Sequence, residues 1–80
     1  MHPKYASGQR VVIVSVKDEN RCSKYPEIEN YVGDLAIVVD CYWVGFEELN
    51  LPREYFIYRV YIDRTNTEIS VQEEAIKKAF

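Results

Sequence analysis

The apolar positions of the first half of the chain come in two dense runs, RVVIVSV at residues 10–16 and LAIVVDCYW at 35–43. Both are rich in β-branched side chains, which suit a pleated surface, so each predicts a strand. In the first run Val12 and Val14 share one face with Val16, and Val11 and Ile13 share the other. A shift of one residue would exchange those faces. The pattern assigns Val12, Val14, Ile37 and Val39 to the core. Residues 17–31 are polar and interrupted by Asn20, Pro26 and Asn30, which marks a long loop, and Gly33-Asp34 turns the chain into the second strand. The stretch YFIYRVYID, residues 55–63, alternates strictly, with Phe56, Tyr58, Val60 and Ile62 on one side and Tyr55, Ile57, Arg59 and Tyr61 on the other. RTNT follows as a tight hairpin turn, because Asn66 tolerates positive φ. EISV then predicts a short strand with Ile69 facing the core, as Val71 does.

Two terminal segments complete the pattern. Residues 1–7 are expected as a flexible tail ahead of Gly8, so the domain is taken as residues 8–80. QEEAIKKAF, residues 72–80, runs from acidic to basic, which suits a helix dipole, and predicts about two turns of helix pinned by Ala75 and Ile76.

The stretch CYWVGFEELNLPREYF, residues 41–56, resists this scheme. It concentrates aromatic and leucine side chains, yet Gly45, Asn50 and Pro52 mark it as a non-repetitive loop. A loop with that much apolar surface implies that something covers it. Trp43, Phe46, Glu47, Glu48, Leu49, Leu51 and Tyr55 are therefore the candidate partner-binding residues, a mixed apolar and anionic projection.

Composition narrows the class. Eighty residues with 48% hydrophobic and 29% charged positions describe one small globular domain. No apolar run is long enough to span a membrane and no signal peptide is visible, so a cytoplasmic location is the default expectation. Cys22 and Cys41 stand 19 positions apart with no metal-ligand spacing, and two free thiols are expected. Zinc would need His2, at the terminal tail, as a ligand, so no metal and no cofactor is assigned. Net charge is −3, but five basic residues against two acidic ones leave residues 1–24 at +3 and the remainder at −6.

Several segments together resemble a known family. SGQRVVIVSV, YVGDLAIVVD, YRVYID and ISVQEEAI look like successive strands of an SH3-like barrel, with Gly8, Gly33 and Val38, and Val71, Glu73, Glu74 and Ile76 at its turn positions. The resemblance extends to the KOW-type barrels of transcription and ribosomal proteins. It is similar also to small barrel proteins that dock on redox enzymes as accessory subunits, such as the one in photosystem I and the variable chain of ferredoxin–thioredoxin reductase. It implies an all-β, SH3-like five-stranded barrel with a short C-terminal helical turn. Ala36 stands where the second glycine of the KOW motif falls. No Ala-Leu-Tyr-Asp-Tyr-like run is present, so recognition of proline-rich peptides is not implied.

Catalysis is not written in these residues. The only histidine is His2, the three glycines are scattered, and the adjacent carboxylates Glu47-Glu48 and Glu73-Glu74 point apart on extended chain. The expected function is a non-catalytic interaction module or accessory subunit whose partner is another protein or a second copy of the chain. The alternative is a KOW-like nucleic-acid binder using the basic loop of residues 17–25, with Arg10, Lys17, Arg21 and Lys24 on phosphates and Tyr25 stacking on a base. A sequence pI near 5.1 argues against it.

Overall fold

A computed structural model describes residues 2–48 and 51–79, and for residues 46–48 and 51–55 it describes the backbone. The described chain is mostly β: β1 (Arg10–Ile13), β2 (Leu35–Glu48), β3 (Leu51–Ile62), β4 (Thr67–Gln72) and β5 (Ile76–Lys78). They form one antiparallel sheet in the order β4-β3-β2-β1-β5, open between β4 and β5. Short 3-10 turns at Pro26–Tyr31 and Glu73–Ala75 are the helical elements.

Glycine is required where the chain enters the first two strands. Gly8 (φ 85°) donates its N–H to Val38 O, and Gly33 (φ 91°) donates to Ile13 O, conformations that L side chains rarely adopt. The turn between β3 and β4 carries Asn66 at φ 53°, as the RTNT pattern predicts, and Ile62 pairs with Thr67 across it.

β3 supplies the centre of the core. Tyr58, Val60 and Ile62 are fully buried, Phe56 nearly so, and their cross-strand neighbours Val38, Ala36 and Val71 are buried with them. The expected phase of β3 is therefore the observed one. The phases of β1 and of the start of β2 are not. Val11 and Ile13 face the core in place of Val12 and Val14, and Ala36 and Val38 in place of Ile37 and Val39. Both runs are apolar on both faces, so alternation alone could not choose.

A β-bulge in β2 has the larger consequence. Val38 pairs with Val60, but Asp40 pairs with Arg59, leaving Val39 as the extra residue. Core-facing positions therefore pass from Ala36 and Val38 to Cys41 and Trp43, which oppose Tyr58 and Phe56.

Three further expectations change. Within the segment 43–55 the described residues, 43–48 and 51–55, are strand and not loop: β2 and β3 stay paired from Trp43↔Phe56 to Glu48↔Leu51. The C-terminal helix shrinks to the 3-10 turn, and Ile76–Lys78 form a strand on β1. Residues 1–7 are not all outside the domain. Tyr5 is buried against Tyr58, with ring centroids 5.6 Å apart, and its hydroxyl donates to Ile76 O.

Candidate interaction arm

Beyond Val38 and Ile57 the neighbouring strands end. β1 pairs with β2 only at Leu35, Ala36 and Ile37, with Gly8 and Gln9 reaching Val38, and β4 pairs with β3 only from Ile57 onward. Residues 43–48 and 51–56 thus pair only with each other in the described sheet, as a two-stranded arm rooted at the Tyr42↔Ile57 pair. Aromatic and β-branched cross-strand pairs hold it, namely Tyr42↔Ile57, Trp43↔Phe56 and Val44↔Tyr55.

The arm carries the most exposed aromatic residues described. Phe56 ends the core at 9% exposure, whereas Trp43 opposite it is 54% exposed. The core face of the sheet therefore continues off the body of the domain onto an uncovered indole. Tyr42, on the other face, is 49% exposed beside Ile57. Of the candidate partner-binding residues, Trp43 is placed as an exposed aromatic. Phe46, Glu47, Glu48, Leu51 and Tyr55 are placed in the ribbon by their backbone, and their side chains, with the whole of Leu49, lie outside the described residues. Tyr42 was not singled out by sequence. The signal was there, since neighbouring residues of a strand face opposite ways.

Charge at the root of the arm is internally matched. Arg59 reaches both Asp40 and Glu68, and the Asp40 carboxylate raises its already high pKa. On the core face Cys41 is half-buried beside Tyr58, and burial pushes its thiol pKa up. The Tyr58 hydroxyl donates to Glu73 and accepts the N–H groups of Lys4 (2.9 Å) and Tyr5 (3.3 Å), and its pKa is raised, first by burial.

The alternative cationic set is not gathered. Arg10 opens β1, opposite Ile37, while Lys17 and Arg21 lie past the other end of that strand. Arg10 and Lys17 thus stand at opposite ends of β1, with Val11, Val12 and Ile13 between them in the strand. Lys24 is paired with Glu74 at 2.9 Å, and the Tyr25 hydroxyl lies against Gln72 and Glu74. Those contacts lower the Glu74 pKa, with Tyr25 as the first cause. A cleft of about 150 Å³ lies beneath Tyr25, between Ile28, Ile57, Val71 and Gln72. Among the described residues no group of three His, Cys, Asp or Glu side chains could hold a metal ion, and no helix is long and apolar enough to cross a membrane.

No protein-family model, no curated protein and no solved structure matches this chain.

Proposed function

We propose that the chain is a non-catalytic interaction module of SH3-like topology that docks on a partner protein through the arm formed by β2 and β3. The strand order β4-β3-β2-β1-β5, with a 3-10 turn just before β5, supports the SH3-like reading. The observation that carries the docking reading is the half-exposed pair Tyr42 and Trp43 on a ribbon that the rest of the sheet leaves uncovered. An isolated two-stranded ribbon is at best marginally stable in water, and Trp and Tyr are the residues most enriched at interface hot spots. A covering partner answers both facts.

The test is a photo-crosslinking residue at position 43, compared with the same residue at exposed Lys77, in extract from the native host. Capture of a discrete protein from position 43 but not from 77, lost when Tyr42→Ala is added, supports docking through the arm. Equal labelling from both positions opposes it. Salt-sensitive binding of single- or double-stranded nucleic acid, abolished by Lys17→Ala with Arg21→Ala, would favour the basic loop instead.

A further inference from the structure

Exposed strand edges invite pairing, and natural sheets usually guard them with charge or proline. Three edges here are guarded. β5 presents Lys77 and Lys78, both exposed, and β4 presents exposed Glu68. The β3 edge of the arm runs through Pro52, Arg53 and Glu54. The β2 edge of the arm differs. Its charges, Asp40 at the root and Glu47 and Glu48 at the tip, leave residues 41–46 uncharged between them, and Val39, Tyr42 and Trp43 on it are 38%, 49% and 54% exposed.

The backbone of that edge is equally open. Val38 donates to Gln9 O (3.0 Å) and accepts from Gly8 N–H (2.7 Å), so its polar groups point to the β1 side. The bulge advances the phase by one residue, which turns the N–H and C=O groups of Cys41, Trp43 and Gly45 to the same side. Beyond Val38 the described pairings of β2 are with β3 alone.

We propose that a second copy of this chain docks on this edge, the two β2 strands pairing antiparallel about a two-fold axis at Val44. The proposal rests on the reading of the arm as a docking surface and names its partner. An uncharged apolar stretch of edge is matched by another of its kind, and among the described edges the longest is residues 41–46, which a second copy offers again. A two-fold contact is also the commonest way for a chain to meet itself.

The register follows from Trp43. An axis at Trp43 would set two indoles against each other at one position. An axis at Val44 sets each Trp43 opposite the Gly45 of the second copy, over which that copy's own indole lies, so the two indoles meet side by side. Half-exposed Tyr42 and Trp43 from both copies would remove about 400 Å² of aromatic surface. Pairing along about 23 Å of strand, residues 41–47, brings the total to the order of the 1,000 Å² that a specific interface needs.

The experiment has two parts. Sedimentation equilibrium of the unaltered chain should give twice the 9.4 kDa chain mass, and dilution to monomer should shift Trp43 emission to the red. In a Cys22→Ser, Cys41→Ser background, Val44→Cys should then cross-link between copies under mild oxidation. At the axis the two Cα atoms would be about 4.5 Å apart, within disulfide reach. Tyr42→Cys is the control, because its two copies would lie roughly 14 Å apart. Cross-linking at least tenfold faster for Val44→Cys supports the proposal. A monomer at every concentration overturns it, while leaving the arm free for a different protein, which the position-43 cross-link tests separately. A dimer with neither the emission change nor the Val44→Cys preference overturns it too, by placing the contact on another face.

Discussion

The indole of Trp43 lies over Gly45. A Cβ built on Gly45 would meet Cη2 of Trp43 at 2.7 Å, closer than real Cβ atoms approach, and Cζ2 at 3.1 Å, a tight contact. The two residues share a face of β2, and the absence of a side chain at Gly45 lets the ring lie along the strand.

Gly45→Ala should therefore push the indole off the strand and leave the fold intact, because the ring is half exposed and free to swing outward. Stability should change by less than about 1 kcal/mol, as for most surface substitutions. Trp43 is the single tryptophan, so the emission spectrum reads the displacement directly. An unchanged spectrum would show that the ring does not rest on Gly45.

Core truncations should separate the two faces of β1. Val60 and Val11 are fully buried, whereas Val12 is only half-buried. Val60→Ala and Val11→Ala should each cost about 1–3 kcal/mol, scaled from larger aliphatic truncations, and Val12→Ala clearly less. Chemical denaturation measures all three. A larger loss at Val12 than at Val11 would reverse the phase of the strand.

Tyr58→Phe tests how the N-terminal segment is docked. It removes the hydroxyl that donates to Glu73 and accepts from the Lys4 and Tyr5 N–H groups. Leaving those groups without their partner should cost about 1–3 kcal/mol. Amide exchange at Tyr5 should quicken more than at Val60. Equal protection in both proteins would mean that the hydroxyl is not the anchor.

Acid stability should depend on Asp34. Arg64 grips its carboxylate with two hydrogen bonds, at 2.7 and 2.8 Å, and holds its pKa below the ordinary value. A carboxyl with a lowered folded pKa contributes stability that is complete above its unfolded pKa, near 4, and is lost as pH falls through the folded value. The thermal midpoint should thus fall below about pH 4, and Arg64→Met should flatten that part of the curve. Glu29, lowered by the Ser23 and then the Ser15 hydroxyl, adds to the same limb, so some slope should remain.

The two thiols should react unequally. Both cysteines are free, Cys22 exposed and Cys41 half-buried with its pKa raised by burial. An alkylating agent at neutral pH should modify Cys22 first and reach Cys41 only slowly until denaturant is added. A reductant should leave the thermal midpoint unchanged.

What could be read from the residues was local. Strict alternation in YFIYRVYID assigned the faces of β3, because polar Arg59 leaves one side as the apolar one. Asn66 marked the β3–β4 turn, and the β-branched runs marked strands. The exposed aromatic character of Trp43 was legible as well. The structure then put that residue on a strand, where the sequence pattern had suggested a loop.

The remainder depended on distant partners. RVVIVSV and the start of LAIVVDCYW are apolar on both faces, so only packing against β3 could choose Val11, Ile13, Ala36 and Val38. The bulge at Val39 changes the phase of β2 without any glycine or proline to announce it, and so carries Trp43 onto the core-facing side. Gly45 and Pro52 read as loop signals, yet cross-strand pairing keeps both in the arm. QEEAIKKAF has the composition of a helix, but two turns alone gain little, and the open edge of β1 offers Ile76, Lys77 and Lys78 a ladder instead. Local chemistry thus determined which residues favour strands and turns. Register, bulge and the uncovered arm were decided by long-range pairing, since a residue's face is defined only by what it packs against.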